Sequence, residues 1–234
     1  MATVRTVTLP DGSTFTMSDW GDYPIWSRAE FDPANAQDVT IFNYLVSQQI
    51  PGGATAARAT LLDTNVPAAG QLPLRHQMVI FSVMARYDEA NTSDDANDNP
   101  LRGKIINEPT NPIGLNKWNT IQANLFFQFI VEQSKPYIEG TLNRFPAGGG
   151  VHWQEAGRDV ATVESYYVTN GEVGMHAARR LAMPIHLGAL ETFNGVFKFP
   201  RGALPNWVTG FATSDQTAFG VTMILNGPRQ RPVG

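Results

Sequence analysis

Apolar and polar residues alternate with a period of two over most of the chain, and that period predicts strands. The longest run spans Thr120 to Gln133: Ile121, Ala123, Leu125, Phe127, Phe129 and Val131 face one way, Gln122, Asn124, Gln128 and Glu132 the other. Gln77 to Tyr87 contains MVIFSVMA, apolar on both faces, which predicts a central strand covered on both sides. Shorter strands are predicted at Ala59–Leu62, Tyr137–Phe145, Ala161–Thr169, Met183–Leu187, Phe193–Phe199 and Phe219–Leu225. Thr3–Leu9 and Ser13–Met17 flank Pro10-Asp11-Gly12, a turn tripeptide, and so read as an opening β-hairpin.

Two stretches break the period. Asp32-Pro33 before ANAQDVTIFNYLV fits a helix start, with Asp as N-cap, Pro at the first helical position and Ile41, Phe42 and Leu45 on one face. Trp20, Tyr23, Trp26 and Phe31 are broken up by Gly21 and Pro24, too irregularly for helix or strand, and predict an ordered aromatic arm. A second short helix is predicted over Gly174–Leu181, and Pro146 with Gly148-Gly149-Gly150 forms a loose connection.

About eight strands joined by loops of uneven length point to antiparallel sheets packed face to face, with a jelly roll as the leading architecture. The fold class is therefore all-β: a jelly-roll sandwich with an N-terminal arm and one or two short helices. Residues 1–58 would hold the hairpin, arm and helix, and residues 59–234 the sandwich.

Charged residues make up only 16% of the 234 residues, against roughly 25% in ordinary soluble domains. A surface so neutral suits a protein covered by neighbours, and equally a β-domain with uncharged polar loops. A net charge of −4 argues against a global nucleic-acid footprint and against direct DNA coating, and no sequence-specific nucleic-acid binding is expected. No stretch approaches the ~20 apolar residues of a membrane span, and MATVRTVTLPDGS has no signal-peptide core, which predicts folding in the cytosol and no transmembrane segment.

Catalytic signatures are sparse. Cysteine is absent, which removes thiolate chemistry and disulfides. His76, His152, His176 and His186 stand at no metal-binding spacing, and neither G-x-S-x-G nor a P-loop occurs. Glu132, Glu139, Glu155, Glu164 and Glu191 are the pool from which folding could assemble a carboxylate pair. Asp94, Asp95 and Asp98 offer hard oxygen ligands for calcium but lack the EF-hand glycine and terminal Glu, so a solvated loop is favoured. Arg179-Arg180 and the tail residues Arg229 and Arg231 read as solvated surface, with acidic neighbours or nucleic acid as the other partners they could meet. The expectation is a protein that is not an enzyme and uses no cofactor.

LDTNVPAAGQLP (Leu62 to Pro73) leading into MVIFSVMA resembles segments of jelly-roll capsid proteins of bacteriophages, as do PIHLGALETFNGVFKFPRGALP and the ending VTMILNGPRQRPVG. These stretches cover about a quarter of the chain. The resemblance implies a virion subunit that assembles with copies of itself and with other virion proteins, through Trp20, Tyr23, Trp26, Arg229 and Arg231 as the assembly interface. The rings would supply contact area at low entropy cost, or else cap the domain's own core. A carbohydrate- or receptor-binding sandwich using Trp153 or Trp207 is the alternative.

Overall fold

The computed structural model describes residues 6–8, 14–16, 20–31, 37–52, 58–90, 122–132, 136–145, 152–159, 163–169, 180–202 and 218–230. The strands are β1 (Thr6–Thr8), β2 (Thr14–Thr16), β3 (Trp20–Asp22), β4 (Ile25–Phe31), β5 (Val39–Ile41), β6 (Gln77–Ala90) and β7 (Phe126–Val131). They continue with β8 (Pro136–Thr141), β9 (His152–Asp159), β10 (Val163–Thr169), β11 (Arg180–Leu187), β12 (Phe193–Lys198), β13 (Ala218–Asn226) and β14 (Pro228–Gln230).

Four antiparallel pairs are nested one inside the next: β4 with β13, β5 with β12, β6 with β11, and β7 with β8. Rolling such a long four-pair hairpin over gives two sheets, and both are present. One has the order β4-β13-β6-β11 and the other β5-β12-β7-β8. That wrapping is the jelly roll, an all-β sandwich of two Greek keys.

Two short strands lengthen the first sheet. Asp22 faces Pro228 and Ile25 faces Leu225, so β3 and β4 hold one register across Tyr23-Pro24. On the far side, Asn226 faces Ser82 but Arg229 faces Met78, so β6 carries one extra residue there, a β-bulge. The bulge explains a change of phase along β6: Met78 and Ile80 point into the core, and so do Val83 and Ala85. Phe81, between them, is 38% exposed.

The core is aromatic. Phe31, Phe42, Phe127, Phe129, Phe145, Phe193 and Phe197 are all buried in one cluster with the inward aliphatic residues of both sheets. Phe31 meets Phe197 edge-on with ring centroids 5.2 Å apart, and Phe127 meets Phe145 edge-on at 5.8 Å. Edge-to-face contacts suit the ring quadrupole, and the rings pack against one another between the two sheets.

Strand direction sorts the connections. Those leaving β4, β6, β8 and β12 emerge at one end of the sandwich, while the β5–β6, β7–β8 and β11–β12 connections lie at the other. The hairpins β1–β2 and β9–β10 each form a separate two-stranded sheet. The first matches the opening hairpin expected from Pro10-Asp11-Gly12.

Several expectations change. The helix after Asp32-Pro33 does not form among residues 39–45: Val39–Ile41 is β5, paired with Gly195–Phe197, and Phe42 then turns the chain at φ 67°. Three residues, all of them β-branched, beside a waiting strand outweigh the local helix signal, and Phe42 and Ile41 are buried by sheet packing. The capping pair itself lies outside the described residues. Trp20–Asp22 and Ile25–Phe31 are strands, so the aromatic passage is no arm but the outer line of the first sheet. Leu61–Asp63 is a turn instead of a strand, and the long strand begins at Phe126 after a helical turn at Gln122–Asn124. Tyr137–Phe145 divides into β8 and a 3-10 turn at Leu142–Arg144. Leu181, placed at a helix end by the sequence pattern, is in β11; residues 174–179 lie outside the described residues.

Candidate functional site

The expected interface residues fall into two groups. Arg229 sits opposite Gly21 in the β3–β14 ladder, and Trp20 opposite Gln230. A Cβ on Gly21 would collide with the Tyr23 ring, so glycine there lets Tyr23 fold flat over the ladder. The Arg229 guanidinium carbon lies 5.8 Å from the centroid of that ring, within cation–π range. Arg229 is only 2% exposed. The expectation of a solvated basic tail is corrected: β14 is bonded on both edges, to β3 and β6, and this carries its arginine inside. Arg231 lies outside the described residues.

Trp26 belongs elsewhere, on the outer face of β4, where it meets the β5–β6 connection. Its backbone N–H donates to Asn65 Oδ1 at 2.8 Å and its indole N–H to the Leu61 carbonyl at 3.0 Å. Asn65 returns a backbone bond to the Trp26 carbonyl at 3.2 Å, and the Glu30 N–H donates to Pro51 O at 3.0 Å. The connection thus straps the free edge of β4, removing a line of unpaired backbone that would template aggregation.

A buried polar cluster pins this strap. Arg28 Nε lies 3.6 Å from Glu30 Oε1 and 3.7 Å from Asp63 Oδ1, with all three side chains nearly out of solvent. The Asp63 carboxylate also closes its own turn, accepting from the Thr60 N–H at 2.7 Å and the Thr60 hydroxyl at 2.8 Å. Tyr44 completes the cluster by accepting from the Arg28 N–H at 3.0 Å and donating to the Arg28 carbonyl at 2.6 Å. Loss of water pushes the Tyr44 hydroxyl up to about 12, against the smaller opposing effect of its hydrogen bonds to Ser27 and the Arg28 backbone.

A raised tyrosine pKa means that the unfolded chain gives up its proton first. Tyr44 therefore stabilises the fold fully below about pH 10, and this stability is lost as pH rises toward about 12, by at most about 3 kcal/mol. Tyr44→Phe should cost about 1–3 kcal/mol at pH 7, because the Arg28 N–H and carbonyl lose their partner. Urea titrations at pH 7, 10 and 11.5 check both statements: the gap between wild type and variant should narrow at high pH.

Outside this cluster the surface is unusually apolar in places. Leu61 and Leu62 stand at the tip of the strap, Leu62 being 78% exposed. Met183 is 80% exposed on β11, where five steps from Arg180 to Ile185 face only two on β6 and the strand bows outward. Leu74, Leu190 and Tyr137 are also exposed. Large apolar side chains held on rigid turns and bulges are features of contact surfaces.

The chemical candidates are dispersed. Glu139 accepts from Gln128 Nε2 at 3.1 Å, Glu191 accepts from the Gly188 N–H at 2.6 Å, and Glu132 is exposed after β7. His186 is exposed on β11 and His76 half-buried before β6. Trp153 and His152 lie in β9, and Glu155 and Glu164 in the β9–β10 hairpin. His176, Trp207, Asp94, Asp95 and Asp98 fall outside the described residues. Among the described residues no group of three or more His, Asp or Glu is placed to hold a metal ion. No helix among them is long and apolar enough to cross a membrane.

Arg28, Asp63, Phe81 and Met183 were invisible as surface or cluster residues in the sequence. Their roles depend on a bulge and a strap that no local pattern encodes. Compared with family models, curated proteins and solved structures, the chain finds no match.

Proposed function

We propose that the protein is a viral structural subunit, a capsid protein that assembles with copies of itself and other virion proteins into the shell of a phage particle. The observation that carries this reading is a jelly roll with apolar contact points on its outside. Its aromatic core holds the two sheets together, and further large apolar side chains are left on the surface. There, Leu61, Leu62, Leu74, Met183 and Leu190 are presented on pinned turns and a bowed strand. Jelly rolls also serve lectins and cupins, so the fold alone decides nothing and the surface carries the argument.

Sedimentation and negative-stain electron microscopy of the purified protein test it. The expected result is concentration-dependent assembly into rings or closed shells, weakened by Leu61→Ser with Leu62→Ser at unchanged thermal stability. A monomer at every concentration, absent from particles, would sink the reading. Glycan binding by such a monomer, lost with Trp153→Ala or Trp207→Ala, would move it to a carbohydrate-binding sandwich.

A further inference from the structure

The β9–β10 hairpin forms a two-stranded sheet of its own. Its strands pair with each other from His152↔Thr169 to Asp159↔Val163, and among the described residues with no other strand. A lone two-stranded hairpin is marginal in water and needs an apolar face to lie on. Its sequence suits burial: Trp153, Tyr166, Tyr167, Val163 and Val168 accompany three acids, Glu155, Asp159 and Glu164, against one base, Arg158.

A face of complementary character lies open on the first sheet. On the outer side of β6 the bulge raises Phe81, beside half-buried Met84, and the bowed β11 presents Met183. The charged side chains described on this half of the face are Arg86 and Arg180, both exposed. Methionine, aromatic and arginine side chains together are the composition of interface centres. Phe81 and Met183 are exposed, so this face is open to a partner.

We propose that the β9–β10 hairpin of one copy lies on the outer face of β6 and β11 of a second copy, its acids meeting Arg86 and Arg180. The contact is heterologous, hairpin to face, so repeated copies generate a ring or an open array. It rests on the capsid reading and names the surface through which neighbours join.

The absence of cysteine makes the test clean. Met183→Cys protein is mixed with Tyr166→Cys or Tyr167→Cys protein, successive positions of β10, and oxidised with copper phenanthroline. The expected result is a mixed disulfide dimer several-fold more abundant than with Tyr137→Cys, an exposed position on the other sheet. As a second arm that introduces no cysteine, Arg86→Glu with Arg180→Glu should weaken self-association about tenfold. Glu155→Lys with Glu164→Lys on the same chain should restore it.

Mixed dimers no more abundant than the control overturn the proposal. So does a chain carrying both cysteines that closes on itself as a monomer while the mixture stays uncoupled. Particles formed without the mixed disulfide defeat this contact and leave the capsid reading standing; the disulfide without particles does the reverse.

Discussion

Replacing Gly227 with alanine is expected to destabilise the protein by about 3 kcal/mol or more, or to prevent folding. An added Cβ would land on the Val79 carbonyl oxygen and lie 3.0 Å from the Val79 carbonyl carbon. Both are backbone atoms of β6, so no side chain can rotate away. Gly227 joins β13 to β14 opposite the bulge in β6, and moving it would separate the central strand of the sheet from its neighbour. Gly202→Ala serves as the comparison: its φ of 77° imposes strain, about 1 kcal/mol, but the added Cβ meets nothing within 4 Å. Urea denaturation of both variants separates collision from strain, and equal midpoints would show that the close approach is not there.

Asp63→Ala should cost about 3–5 kcal/mol, as expected when one member of a buried ionic cluster is removed. It would take a carboxylate from beside the buried Arg28 and open the Thr60 turn. The strap would then loosen from β4, so proteolysis near residues 58–66 should accelerate before global unfolding. Replacing the whole cluster, Arg28→Met with Glu30→Gln and Asp63→Leu, should recover part of the loss, because no member is then left as a buried charge beside a missing counter-charge. A triple variant no more stable than Asp63→Ala would place the cost in the Thr60 turn instead.

Strands were legible in the sequence wherever one face is buried. β7 and β12 alternate Phe127, Phe129, Val131 and Phe193, Phe197 inward, and a one-residue slip would expose every one of them. β6 was legible as a strand inside the sheet, and it does lie between β13 and β11, although its outer face is open at Phe81 and not covered as its apolar run implied. What failed were segments whose conformation is set by partners distant in sequence. Val39–Ile41 is extended because Gly195–Phe197 lies beside it, and Trp20–Asp22 because Pro228–Gln230 does. The pairing Ser27↔Thr64 and the Arg28–Asp63 contact join segments whose local patterns say nothing of each other. Of the expected interface, Tyr23 and Arg229 do meet, as a staple inside the sheet end, and Trp26 is tied to the strap.

The nesting of strand pairs also governs how the chain is made. β4 takes its edge from β13, with Ile25 against Leu225 and Phe31 against Phe219, so an early strand waits for one synthesised nearly two hundred residues later. At ribosomal speeds of roughly 5–20 residues per second, β4 and β6 spend on the order of ten seconds or more without the strand that separates them. Pairings of such wide sequence separation also form slowly. The nascent chain therefore exposes two sheet edges at once, and β4 is shielded early only by its strap. Loss of the strap should show itself first as lower yield of soluble protein in the cell, ahead of any change in the finished fold.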